Sequence, residues 1–360
     1  MPQPIGAPWS PARPTRLRAR RGSLGALGLS LALAAGTLSA CSSSSGSVET
    51  PNLKVGYVNG LGATTFLIGM SKNYFSQSGL NISYQAYNTD VDLSKALKDG
   101  SIQIGLGDYT SILDTQATDS IAASVQVIGE AYSSGDDTIG LVARSGSTLA
   151  NEQATTVADG IAATTVSVAV PTYDSPEYVA LAAWAMAEQS PIQYKLGTVH
   201  PVTGDPDPAD TAQQITTAVS SGAAATGVLQ EPYLTQALET GKVVELANLS
   251  SGTAADMPVS GYFALTKFTD ANPDTIATFD AALAEAQTTG TSRVSIENAL
   301  EQSQSMKSDL AVTAEIGNFP STVVPATIDN VLSLMNAAGL STGTHSSGTL
   351  TSSGTTTTTG

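Results

Sequence analysis

The chain has 360 residues, with 15 basic against 31 acidic side chains, a formal charge of −16, one cysteine and two histidines. The excess of carboxylates argues against nucleic acid as a partner, because phosphate backbones are held by clustered Lys and Arg and none are clustered here. A lone Cys41 leaves no intrachain disulfide, and His200 and His345 by themselves exclude a His-rich metal site.

The chain opens on a basic stretch with Arg13, Arg16, Arg18, Arg20 and Arg21, followed by an uncharged Leu/Ala/Gly-rich run from Gly22 to Thr37 and then Leu38-Ser39-Ala40-Cys41. That order is a secretory signal. Its last four residues look like a bacterial lipobox, whose cysteine is lipidated and becomes the new N-terminus; an ordinary signal peptide with a chance cysteine is the alternative. The Arg20-Arg21 pair leaves general secretion and twin-arginine export both open. Residues 1–40 are thus read as a lipoprotein signal and 41–51, beginning with a serine run, as a flexible tether. Removing the leader takes five basic residues and no acidic one, so the remaining 320 residues carry ten basic and 31 acidic groups, a formal charge of −21. That length suffices for two packed domains.

From Asn52 onward strand and helix patterns alternate, which predicts an α/β fold of mostly parallel sheets flanked by helices. Strands are expected over 53–58, 80–84, 102–106 and 124–129, with helices over 64–75 and 90–99, the second stopped by Gly100. The polar break Ser133 to Asp137 separates two apolar runs with no helix between them and is read as a first crossing into a second domain. There a buried strand over 166–170 leads into Ser175, Pro176 and Glu177, an N-cap, a first-turn proline and a first-turn acid. A helix over 209–221, a strand over 226–229 and a helix ending at Gly241 follow. Val259 to Phe268 is expected to carry the return crossing, after which helices near 274–288, 292–305 and 326–338 complete the first domain. The expected lobes are 52–135 with 262–340, and 136–261. Residues 341–360, rich in Ser, Thr and Gly, have little to bury and read as a disordered tail open to glycosylation.

Several stretches carry a family resemblance: Leu53-Lys54-Val55-Gly56-Tyr57, the segment from Tyr74-Phe75 to Gly79-Leu80, Lys95 to Gly105, and Gln230-Glu231-Pro232-Tyr233. Together they resemble the substrate-binding lipoproteins of ABC importers, especially the nitrate/sulfonate/taurine and thiamine-precursor-binding group. Such proteins often have an Asp-Ala pair before the Glu-Pro strand, where this chain has Ala223-Ala224-Ala225-Thr226-Gly227. The resemblance implies a two-lobed periplasmic-binding-protein-like (type II) fold with two crossing hinge segments that closes on a small-molecule solute. It also implies an ABC permease as partner, a membrane-anchored extracytoplasmic location, a monomer, and no cofactor or metal.

In open parallel sheets ligands bind beyond the carboxyl ends of strands, where loops and helix N-termini present free N–H groups. Four such places are legible, around Asn59 to Thr65, Gly107 to Ser111, Thr172 to Ser175 and Gln230 to Tyr233. The candidate ligand-binding residues are Asn59, Thr64, Thr65, Asp108, Tyr109, Thr110, Tyr173, Asp174, Ser175, Glu231 and Tyr233. Each has a plainer reading: Asp108 and Ser175 as helix caps, the tyrosines as core, Glu231 as a solvated acid. The acidic and aromatic character of these loops favours a neutral or cationic nitrogenous solute over an oxyanion. A secreted enzyme and a non-transport sensor or adhesin on the same fold remain the alternatives, although the sequence has no Gly-x-Ser-x-Gly elbow, metal-type His/Glu spacing or nucleotide-type glycine fingerprint.

Overall fold

The apolar runs become strands of two five-stranded sheets. The computed structural model describes residues 47–118, 124–151, 167–187, 195–196, 207–304 and 306–351. The stretch expected to be a signal, Cys41 and residues 352–360 lie outside the described residues. The first part of the chain forms β1 (Asn52–Val58), α1 (Thr64–Ser71), α2 (Tyr74–Gln77), β2 (Asn81–Tyr87), α3 (Asp90–Asp99), β3 (Ile104–Asp108), α4 (Tyr109–Thr118) and β4 (Val125–Ser133). Next come β5 (Ile139–Arg144), β6 (Ser167–Ala169), α5 (Pro176–Ala187), β7 (Lys195–Leu196), α6 (Pro208–Ser221), β8 (Thr226–Gln230), α7 (Tyr233–Glu239) and β9 (Val243–Asn248). The chain closes with β10 (Pro258–Leu265), α8 (Thr266–Ala271), α9 (Pro273–Gly290), α10 (Arg293–Gln304), α11 (Ser308–Thr313), α12 (Pro325–Ala337) and α13 (Ser347–Leu350).

The two sheets repeat one topology, with strand orders β2-β1-β3-β10-β4 and β7-β6-β8-β5-β9. In each, three parallel strands meet an antiparallel fourth. That fourth strand is the one the chain enters on crossing from the other sheet, β5 after residues 134–138 and β10 after residues 249–257. The return crossing therefore precedes the stretch expected to carry it: Val259 to Leu265 lies within β10, where Ser260 to Ala264 pair with both β3 and β4. A strand buried on both faces reads the same whichever sheet receives it, so periodicity could not place that boundary. The crossings are tied together. Ser134 donates its N–H to Met257 O at 2.9 Å, and Ser250 Oγ accepts from the N–H groups of Thr138 and Ile139 at 3.0 and 3.2 Å.

Local signals account for the helices. Thr89 Oγ1 accepts from Asp92 N at the start of α3, and Gly100 ends it at φ 80°. Asp207 caps α6 by accepting from Asp210 N, with Pro208 as its first residue and Ala212, Ile215 and Val219 on its buried stripe. The helix expected over 64–75 is broken at Asn73, whose left-handed φ of 63° separates α1 from α2.

Two end segments differ from expectation. Residues 341–351 are ordered: Ser346 and Thr349 form a capping box for α13, Ser347 donates to Asp329 through N and Oγ, Leu350 is fully buried, and Thr351 bridges Val127 of β4. A single apolar residue and a good cap suffice to seat a segment whose composition reads as featureless. At the other end, the Glu49 carboxylate accepts from the N–H groups of Asp274 and Thr275, so the expected tether is already fixed against the start of α9 by this point.

Candidate functional site

The parallel strands of both sheets end at a common cleft of about 340 Å³, within the usual range for small-molecule sites. The first sheet contributes the glycine-containing turn from Val58 to Ala63, the Thr89-Asp90 start of α3 and Gly107-Asp108 at the end of β3. The second contributes the Thr172 to Glu177 region after β6, one face of α6, and Gln230-Glu231 after β8. Ser111 Oγ of α4 donates to Asp174 O at 3.1 Å, joining the two sides along one edge of the cleft.

Carboxyl groups dominate the lining. Asp90 is the first residue of α3, and its Oδ1 accepts from the backbone N–H of Asp108 at 2.8 Å. Gly107 allows that approach, since a Cβ there would lie 2.1 Å from Asp90 Oδ1. Asp174 and Glu177 come from the other half, beside Ser175, whose hydroxyl accepts from Tyr178 N at 3.2 Å and caps α5. No Lys, Arg or His stands among the described lining residues.

Crowded carboxyls withdrawn from water hold their protons. Burial lifts Asp90 to about 7; the charges of Asp174 and Glu177 add to the rise and the Asp108 N–H opposes it. Burial also lifts Glu177 to about 7, with Asp174 adding and the Ser175 hydroxyl opposing. Asp108 is pushed well above the ordinary carboxylate range by burial and by Asp90, Glu177 and Asp174. Two polar atoms in the cleft are uncommitted. Ser260 Oγ belongs to a residue only 5% exposed and has no hydrogen-bond partner; it sits 2.0 Å from where a Cβ on Gly62 would be. Gln230 Oε1 is likewise buried without a partner.

Among the candidate residues, Asn59, Asp108, Asp174, Ser175, Glu231 and Tyr233 line the cleft. Glu231 is buried with its carboxylate turned to Thr235, accepting from Thr235 Oγ1 at 2.6 Å, and burial raises it to about 7. Tyr233 is raised to about 12 by burial and by Asp207. The other candidates lie elsewhere. Thr64 and Thr65 are enclosed because α1 is packed against α9 and α10 as well as the sheet. Tyr109 and Thr110 face the core at the start of α4, where the Tyr109 ring stands edge-on to Phe263 of β10 at 5.2 Å. Tyr173 is 60% exposed, set against Tyr178 and outside the lining. Sequence reasoning passed over Asp90 and Glu177 as site residues, though both are first-turn acids of helices that follow strands, a pattern that marks the carboxyl edge of a sheet. Nothing local marks Ser260.

No protein-family model matches the sequence, and no curated protein matches it. Solved structures do. The ligand-binding component of an ABC-type import system from Staphylococcus aureus, determined with zinc bound, is 13% identical, with 84% of this chain and 97% of that chain covered at a TM-score of 0.65. The periplasmic aliphatic sulphonate binding protein SsuA from Escherichia coli is 18% identical, covering 81% and 86% at 0.60. The periplasmic nitrate-binding protein NrtA from Synechocystis PCC 6803 is 15% identical, covering 73% and 69% at 0.58. The chain has the two-lobed periplasmic-binding-protein fold that the sequence resemblance implied, and these neighbours are solute-binding proteins.

Proposed function

We propose that this protein is an extracytoplasmic solute receptor of an ABC importer, anchored through lipidated Cys41, that binds a small nitrogen- or sulfur-containing organic molecule between its lobes and passes it to a permease. The observation that carries the reading is the cleft itself, lined by the carboxyl ends of both sheets, with the two crossing segments as hinge. The secretory leader supports export. No helix among the described residues is long and apolar enough to cross a membrane. The acyl chains on Cys41 supply the attachment in this reading. In this reading the receptor works as a monomer with residues 52–135 and 262–340 as one lobe and 136–261 as the other, subject to the early start of β10.

Native mass spectrometry of protein purified from its own host tests the receptor role directly, the expected result being a co-purified solute. Saturation with that solute should shrink the scattering radius and change the emission of Trp184, which lies on α5 with Glu177. An unchanged radius at saturation contradicts closure. Cys41→Ala should move the protein from the detergent phase to the aqueous phase of a two-phase extraction; mature protein that begins elsewhere contradicts the anchor.

A further inference from the structure

The chemistry of the cleft narrows the class of solute. Helix N-termini hold oxyanions through free N–H groups and the positive end of the helix dipole. Here three of the helices that start at the cleft bring carboxyls of their own: Asp90 opens α3, Asp108 immediately precedes α4, and Glu177 lies in the first turn of α5. One such N–H, that of Asp108, is already taken by Asp90. An entering oxyanion would meet Asp90, Asp108, Asp174 and Glu177 with no cation among the described lining residues to offset them.

A separate observation concerns hydrogen bonds rather than charge. Ser260 Oγ, on a 95% buried residue in the cleft wall, has no partner, and Gln230 Oε1, which can only accept, has none either. A buried acceptor left unpaired is destabilising, so Gln230 Oε1 favours a guest with an N–H donor, while the Ser260 hydroxyl can accept from or donate to the same guest. A bare metal ion fits less well: among the described residues no group of three or more His, Cys, Asp or Glu is placed to hold one.

We infer that the cleft takes a small organic cation whose protonated amine or guanidine N–H groups pair with Asp90, Asp108, Asp174 and Glu177 and reach the Ser260 hydroxyl, an inference that rests on the solute-receptor reading. The ligand's positive charge replaces the missing basic side chain, and its several donors use carboxyls that are spread around the cleft rather than converged on one point.

The test is calorimetric titration of the purified protein with 1,4-diaminobutane, 4-guanidinobutylamine, taurine, nitrate and Zn²⁺, with the scattering radius recorded at saturation. At least one amine should bind more tightly than taurine, nitrate and Zn²⁺ and reduce the radius. Asp108→Asn should weaken it by about tenfold or more, and Ser260→Ala by roughly threefold. Glu177→Gln, followed by thermal melting, supplies a variant that relieves repulsion and so keeps the fold. The inference is overturned if neither amine binds, if an oxyanion or Zn²⁺ binds more tightly, or if amine affinity is unchanged in the Asp108→Asn, Glu177→Gln double variant. Closure on an anionic solute would sink the cation while leaving the receptor reading intact. No change of radius with any of these solutes, or with solute recovered from the host, sinks the receptor reading itself.

Discussion

β3 and β8 occupy the same place in their sheets: each is third in strand order, parallel to one neighbour and antiparallel to the other, and each leads directly into a helix. An acidic residue stands at both strand ends, yet the two have different roles. Glu231 is 2% exposed, and Thr235, four residues on, donates to its carboxylate from both the hydroxyl and the backbone N–H. Four residues beyond Asp108 stands Ile112, a core side chain with nothing to donate. The Asp108 carboxylate accepts no hydrogen bond among the described residues and is left facing the cleft and its acidic neighbours. A single side chain one helical turn away thus separates a carboxyl that secures a helix start from one available to a ligand.

The sharpest way to break this comparison is to neutralise each carboxyl in turn. Asp108→Asn should weaken amine binding by about 30-fold, roughly 2 kcal/mol, whereas Glu231→Gln should leave it within about threefold. Equal losses by titration would remove the distinction. Next in size is the segment that braces only the first sheet: truncation after Leu340 deletes the buried Leu350 and the Ser347 bonds to Asp329, which should lower unfolding free energy by about 2 to 3 kcal/mol in denaturant titration. Thr235→Val should destabilise by about 1 kcal/mol with amine affinity within about threefold, because it strips the buried Glu231 of its hydroxyl partner and Thr235 itself does not line the cleft.

A pH series tests the cleft carboxyls as a group. Asp90 and Glu177 stand at about 7 against ordinary values of 3.8 and 4.5, so the folded ligand-free protein keeps protons that the unfolded chain has lost. Their contribution to stability therefore falls as pH rises from about 4 to about 7 and is level above that. Binding of a cation runs the other way, strengthening through the same upper range as the carboxyls ionise, with protons released. Melting of the ligand-free protein should drop by roughly 5 °C or more between pH 5 and pH 8 from these groups, and Glu177→Gln should flatten that slope. A slope unaffected by the substitution would show that Glu177 holds no extra proton.

Much of the scaffold was legible along the chain. Thr89, Ser175 with Pro176, and Asp207 with Pro208 mark helix starts by short-range hydrogen bonds and fixed φ values, which depend on residues three or four apart. The polar break at 133–137 likewise marked the first crossing. The return crossing was less legible, because a run buried on both faces has no polar alternation to show where it joins a sheet. Thr64, Thr65, Tyr109 and Thr110 were read toward the ligand because they stand at strand ends; tertiary packing of α1 between sheet and helices, and of Tyr109 on Phe263, turned them inward.

The sequence by itself determined the acidic balance, the α/β alternation and the scarcity of basic residues near the pocket loops. Only the tertiary structure decided which carboxyls meet. Asp90 and Asp108 are 18 residues apart along the chain, and Asp174 and Glu177 arrive from the other sheet. The proton affinity of Asp90, Asp108 and Glu177 depends on burial and on the distance to neighbouring carboxyls, through Coulomb repulsion that falls with separation in space and is indifferent to separation in sequence.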